Sequence, residues 1–267
     1  MQIVKPAVAA VIIALHIIPF YILVSVGFKD QRDFSSFWKL PDYFTLDNFK
    51  SALFNRNMDT AIMNSLFIAS VSVILVALIG AMTAYPLSRV RNRMNMTLLN
   101  LVLGVMMVPS MTVIVPLYKL IVNMYGINTY WGIIAVLATY RLPTSIFLYV
   151  NFIATIPKEL DEAAGIDGCS RFSVFYRIIL PSLKPVTASV IILTGVSIWN
   201  DYSFQLYLLQ KPDLRTITLA ISSLFSEQAT NLNVGAAAAL MAILPPVILF
   251  LTMQRYFIKG VVDSAVK

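Results

Sequence analysis

Residues 156–185 read IPKELDEAAGIDGCSRFSVFYRIILPSLKP, a polar stretch set between long apolar ones. Pro157 suits the first position of a helix, and Glu159, Asp161 and Glu162 place negative charge near that helix's N-terminus. Gly168 is a natural stop, because glycine accepts the left-handed conformation in which helices end. Ser170 can cap a second helix, and Phe172, Phe175, Tyr176 and Ile179 then fall at i, i+3, i+4 and i+7 on one face. Pro181 is expected to end it. An amphipathic helix pair held between apolar segments has the form of a docking device.

The composition says what those apolar segments are. Of 267 residues, 58% are hydrophobic and 12% charged, against about 25% charged in a soluble globular domain. With a mean hydropathy of +0.79, the chain falls in the membrane class. Six apolar runs each approach the roughly 20 residues that cross a bilayer as a helix: 7–28, 61–87, 97–122, 129–155, 186–209 and 234–257. The first is too long for the apolar core of a signal peptide, about 7–15 residues, and is expected to be retained. The chain divides accordingly into a first helix with its outer loop (1–60), a transmembrane core (61–257) carrying residues 156–185, and a tail (258–267).

Lys and Arg placement orients the spans. With the N-terminus inside, the inner segments hold eleven bases against five acids, and the outer segments eight against seven. Both termini and the 156–185 stretch are therefore expected to be cytoplasmic. The net charge of +7 is a topology signal, and nucleic acid is not an expected partner. Cys169 is the single cysteine and His16 the single histidine, so neither a disulfide framework nor a metal site is expected. A lone histidine in a span is expected to pack against a neighbouring helix. Pro109, Pro116, Pro143, Pro245 and Pro246 lie inside spans, where proline bends helices. Gly235 with Ala236 to Ala239 offers a small-residue surface for close helix packing.

The central stretch resembles the EAA loop of the transmembrane subunits of bacterial ABC importers. That pattern is EAA, three residues, Gly, nine residues, then Ile, any residue, Leu-Pro. Here it is met by Glu162-Ala163-Ala164, Gly168, and Ile178-Ile179-Leu180-Pro181, in the loop before the penultimate span. Asn64-Ser65, Pro116-Leu117-Tyr118, Trp199-Asn200, Leu244-Pro245-Pro246 and Gln254-Arg255-Tyr256 extend the likeness to carbohydrate importers, nearest the smaller, maltose-type second permease. Cys169 departs from the alanine frequent in that group.

The resemblance implies an all-α integral membrane protein with six transmembrane helices and the type I ABC importer permease fold. It implies a bacterial inner-membrane location, a heterodimer with a second permease, two copies of an ATPase and an extracellular sugar-binding protein. Coupling to the ATPase would fall to Glu162, Ala163, Ala164, Asp167, Gly168, Arg171, Phe172, Phe175, Ile178, Leu180 and Pro181. Gly260, Ala265, Val266 and Lys267 resemble the tail that reaches the ATPase in relatives. The outer loop before span six, here about 210–233, can enter the binding protein's sugar cleft in relatives. No GxxxxGK[ST] loop occurs in the sequence, so ATP and Mg are expected on the partner ATPase, and no cofactor in this chain.

Ionisable residues inside spans default to functional hypotheses. Arg141 and Asp201 lie about 14 and 15 residues from the inner ends of spans four and five, roughly 21–22 Å at about 1.5 Å per residue. Equal depth suggests a pair, locking two helices or bordering the path. Trp199, Asn200 and Tyr202 surround Asp201 and supply the aromatic faces and hydrogen-bonding groups that sugars require. The same aromatics also suit a headgroup-level belt. The leading expectation is import of a sugar, a di- or oligosaccharide. The alternatives are an ABC permease for another solute and a self-sufficient secondary transporter or channel, which would show inverted repeats or a proton relay. An intramembrane enzyme lacks a catalytic cluster.

Overall fold

A computed structural model describes residues 4–226 and 231–265, and among them the regular elements are helices. Besides short helical segments at Asp47–Lys50, Ser51–Asn55 and Pro212–Leu214, they are α1 (Val4–Gly27), α2 (Met58–Arg89), α3 (Arg93–Val105), α4 (Ser110–Asn123), α5 (Tyr130–Thr155) and α6 (Glu159–Ile166). There follow α7 (Arg171–Ser182), α8 (Lys184–Trp199), α9 (Ser203–Leu208), α10 (Ile217–Ser226) and α11 (Leu232–Ala265). Four helices, α1, α2, α5 and α11, are long and apolar enough to cross a membrane, and six spans result if each of two bent helix pairs counts as one.

One of these bends, and a separate break at residues 200–202, revise two of the expected spans. Span three is not continuous: α3 and α4 meet at 102° across residues 106–109. Pro109 has no N–H and disfavours the helical conformation at Val108, so the chain breaks there. One of the carbonyls so freed, Val108 O, accepts a hydrogen bond from Tyr140 Oη on α5 at 3.3 Å. Span five is divided too. The sixteen residues of α8 reach only about 24 Å, short of the roughly 30 Å hydrocarbon core. The chain turns at residues 200–202 before α9 continues it.

The chain divides into two compact units, one of residues 1–64 and 215–245, the other of 65–214 and 246–267. In the first, Lys29 is fully buried. Its ammonium is held by Ser35 O, Ser35 Oγ and Ser36 O at 2.8–3.3 Å. Asn48 and Asn233 both donate to Lys29 O. The close packing expected of the small residues is present: a Cβ on Gly27 would meet Ala237 N at 3.3 Å, and one on Gly235 the Phe225 ring at 3.1 Å. The loop expected at 210–233 contains α10, with Ile217, Leu219 and Leu224 buried. His16 is exposed on this chain, its Nδ1 2.7 Å from Ile12 O of its own helix.

The second unit carries residues 156–185. Val76, Ala81 and Ala84 of α2, Tyr149 and Ile153 of α5, and Val186 and Val190 of α8 form one apolar cluster with Ala164, Val174, Phe175 and Ile179. The polar stretch is thus seated on the ends of three long helices by its apolar residues. Ser145 Oγ donates to Val76 O, and a Cβ added to Gly80 would collide with Ser145 Oγ, so α2 and α5 approach closely through small residues.

Candidate functional site

Residues 159–182 form the expected helix pair, with local chemistry that accounts for each end. The first helix begins at Glu159 rather than at Pro157, which precedes the N-cap Lys158. It ends at Ile166, and Gly168 has φ +79°. Cys169 N–H reaches Ala164 O at 2.9 Å and Gly168 N–H reaches Gly165 O at 3.1 Å, the paired bonds of a Schellman stop. Nothing lies within 4 Å of a Cβ added to Gly168. Gly168→Ala is therefore expected to cost only the left-handed backbone penalty, about 1–2 kcal/mol, read as a lowered thermal midpoint of the purified chain. Ser170 Oγ accepts from Ser173 N–H at 3.3 Å, capping α7 as its side chain predicts.

Pro181 does not end α7, which runs on to Ser182. The preceding residues, Phe175–Ile179, are wound as a π-turn. In a regular α-helix the Pro181 ring would press on the carbonyl four residues earlier and leave it without a donor. A wider turn relieves both problems, and such turns recur at functional sites. The chain then bends by 72° into α8.

The helix pair sorts its side chains between the protein and the outside. Glu162, Ala163, Asp167 and Arg171 are exposed, as is Pro181, while Ala164 is buried. Ala164 thus allows close approach to this chain's own core, and Ala163 alone of the two alanines faces outward. The expected aromatic face is also split. Phe175 is buried, its ring 5.4 Å from that of Tyr85. Phe172 and Tyr176 are 70% and 62% exposed, their rings stacked at 6.5 Å. Ile178 and Leu180 pack half-buried against the cluster.

One arrangement here had no signal in the sequence. Asp161 Oδ2 lies 2.8 Å from Arg89 Nη2, with both side chains mostly buried, and Asp161 Oδ1 accepts from Tyr85 Oη at 2.7 Å. Arg89 Nη1 also donates to Ile153 O and Ile156 O at 3.2 and 2.9 Å. These residues are more than 60 positions apart in the chain, so neither period nor motif joins them. A crevice of about 390 Å³ opens beside the bridge, lined by Tyr85, Arg89, Lys158, Glu162, Cys169 and Arg171 among others.

The second group of candidates lies at the break between α8 and α9. Trp199 is buried, whereas Asn200 and Tyr202 are exposed. Asn200 Nδ2 donates to Val196 O at 2.9 Å. Asp201 Oδ1 accepts from Gln205 N–H at 3.3 Å, so the carboxylate satisfies a free N–H at the start of α9. Arg141 and Asp201 are close enough to interact electrostatically. The Arg141 guanidinium also lies 5.5 Å from the Tyr140 ring centroid. The tail candidates Gly260 and Ala265 continue α11, and Val266 and Lys267 lie outside the described residues. Among the described residues no group of His, Cys, Asp and Glu could hold a metal ion.

Comparison with known proteins agrees with this architecture. A chain of a bacterial ABC transporter involved in the import of the polysaccharide alginate superposes with a TM-score of 0.84 over 96% of both chains, at 19% identity. The shared property there is the fold, that of a type I ABC importer permease. Sequence relatives are nearer. The melibiose/raffinose/stachyose import permease MelC of Bacillus subtilis (strain 168) is 41% identical over 260 residues, 97% of this chain and 94% of its own. The probable starch degradation products transport permease AmyC of Thermoanaerobacterium thermosulfurigenes is 35% identical over 254 residues, 95% and 92% of the two chains. The arabinooligosaccharides transport permease AraQ of Halalkalibacterium halodurans is 33% identical over 228 residues, 85% and 81%. A family model matches residues 76–263, from the middle of α2 almost to the end of α11. The chain belongs to the family of binding-protein-dependent transport system inner membrane components.

Proposed function

We propose that this chain is the transmembrane permease subunit of an ATP-driven ABC importer for a sugar, of di- or oligosaccharide size. It would form half of a translocation path with a second permease and dock on an ATPase pair through residues 159–182. The observation that carries the reading is the geometry of the EAA stretch. A Schellman-stopped helix and a capped second helix are anchored inward by Ala164, Phe175 and Ile179, and present Glu162, Ala163, Phe172 and Tyr176 outward. Small and acidic groups beside two stacked aromatics suit a protein interface, where exposed aromatics are the usual anchors and a carboxylate can pair with an arginine. The sugars named for MelC, AmyC and AraQ support the substrate class.

In this reading both termini and α6–α7 face the cytoplasm, and ATP and Mg are handled by the ATPase. Gly260 to Lys267 would approach the same partner, and an extracellular binding protein would deliver the sugar. The test is copurification with the products of neighbouring genes, followed by a screen of sugars for stimulation of ATPase activity in vesicles. Stimulation by an oligosaccharide in the presence of its binding protein is expected. A cysteine at Ala163 is expected to crosslink to the ATPase, and a complete absence of crosslinking would count heavily against the docking assignment.

At the α8–α9 break, Asn200 and Tyr202 are the exposed candidates for sugar contact, with Asp201 and Arg141 setting the local charge. Asn200→Ala and Tyr202→Ala are expected to raise the half-saturating sugar concentration about tenfold, the factor for roughly 1.4 kcal/mol of lost contact. Uptake kinetics and sugar preference identical to wild type would exclude direct contact there.

A further inference from the structure

Arg89 stands at a joint. The chain leaves α5 at Ile156, passes Pro157 and Lys158, and enters α6 at Glu159. On one side of the joint, Arg89 Nη1 donates to Ile153 O, which also accepts from Ile156 N–H, and to Ile156 O, both carbonyls of the last turn of α5, where a helix leaves its acceptors short of intrahelical donors. On the other side, its Nη2 holds Asp161 Oδ2 in the first turn of α6 at 2.8 Å. Each charge sits where the helix dipole favours it, the cation at a C-terminus and the anion at an N-terminus. Tyr85, one turn back on α2, donates to the other oxygen of Asp161. Ser88 Oγ bonds Val150 O. Helices α2, α5 and α6 are thus tied by one guanidinium across the Ile156–Glu159 joint, and α6 cannot swing about Pro157 without breaking that tie.

The other exit from the helix pair differs. From α7 the chain passes through a π-turn, Pro181 and a 72° bend before α8 begins. The π-turn and Pro181 interrupt the regular helical hydrogen-bond ladder at that exit, whereas the α5–α6 joint is spanned by a buried ion pair and three side-chain hydrogen bonds. We infer that Arg89, with Asp161, is a positioning residue of the coupling step: it makes α6 move as one body with α2 and the end of α5. The stroke received at the coupling loop then enters the transmembrane helices chiefly through α2 and α5, not through α8. This rests on the proposed docking of an ATPase at residues 159–182.

The test uses the complete reconstituted importer. Arg89→Gln and Asp161→Asn are expected to assemble with the ATPase and hydrolyse ATP, while sugar moved per ATP falls about tenfold, within the range typical of coupling between sites. Asp161→Glu, which keeps the charge, is expected to recover most of the ratio. Unchanged transport per ATP in assembled Arg89→Gln and Asp161→Asn overturns the inference, as does Asp161→Glu behaving like Asp161→Asn. A second measurement does not depend on those variants folding. Spin labels at Glu159 and Met82 are expected to keep a constant separation through the ATP cycle, while labels at Glu159 and Leu193 change theirs. A Glu159–Met82 distance that changes as much as the Glu159–Leu193 one overturns it. Failure of the wild-type chain to copurify with any ATPase would instead overturn the proposed function, and the coupling role would fall with it.

Discussion

Replacing Phe172 and Tyr176 together with serine is expected to weaken capture of the ATPase at least about 100-fold, close to 2.8 kcal/mol, while leaving the thermal midpoint of the isolated chain near wild type. The two rings are 70% and 62% exposed and touch each other, so removing them leaves no cavity inside the protein. Exposed aromatics that become buried in a complex are the residues whose truncation typically costs 2 kcal/mol or more. Phe175→Ser should do the reverse. That ring is buried against Tyr85 and the apolar cluster, and removing a buried phenylalanine costs about 3–5 kcal/mol. Binding would then be lost only in proportion to the folded fraction. Equilibrium capture of the ATPase by the solubilised chain, read beside a melting curve, separates the two. Wild-type affinity in the Phe172/Tyr176 variant would remove this face from the interface.

A second large effect is expected at Gly80, which is buried where α2 meets α5. A glycine-to-alanine change inside a helix ordinarily stabilises, by up to about 1 kcal/mol. At Gly80 the sign is expected to invert, because the new Cβ would occupy the place of Ser145 Oγ and lie 3.4 Å from Tyr149 Cδ2. The α2–α5 contact must then open, and the Ser145–Val76 hydrogen bond is lost with it. Overpacking costs about 1–3 kcal/mol, and the lost bond about 1 more. Gly80→Val should leave little folded chain in detergent. Gly104 is the comparison: nothing lies within 4 Å of its added Cβ, so Gly104→Ala should stay within about 0.5 kcal/mol of wild type. Equal melting shifts at the two positions would refute the packing argument.

Local signals were legible wherever one residue's own chemistry decides the outcome. Gly168 stops α6 because it alone reaches φ +79° without strain, and Ser170 caps α7 because its hydroxyl lies beside a free N–H. The apolar runs are helices because a backbone in lipid must satisfy its own polar groups. The prolines were a partial guide. Pro143 lies within an unbroken α5, and Pro245 and Pro246 within α11, whereas Pro109 borders a 102° break. The break survives where Tyr140 supplies the bond that the helix gives up. Span counting from hydropathy merges both cases, since it sees apolarity and not the partner that stabilises a bend.

Residues 156–185 show the division most clearly. Their order alone establishes two short helices, the turn between them, the acids at the first N-terminus and the EAA spacing, since these depend on neighbours within a few positions. Which of Ala163 and Ala164 faces out, that Phe175 turns inward while Phe172 and Tyr176 do not, and that Pro181 is absorbed by a π-turn were decided by the surface beneath them. The Arg89–Asp161 bridge was decided there as well. In the sequence Arg89 counts only as an inner-side charge and Asp161 only as a first-turn acid. Folding brings α2, the end of α5 and α6 together, and makes them one joint. Such a pair has no period to betray it, because its energy comes from the desolvated place where three helix ends meet.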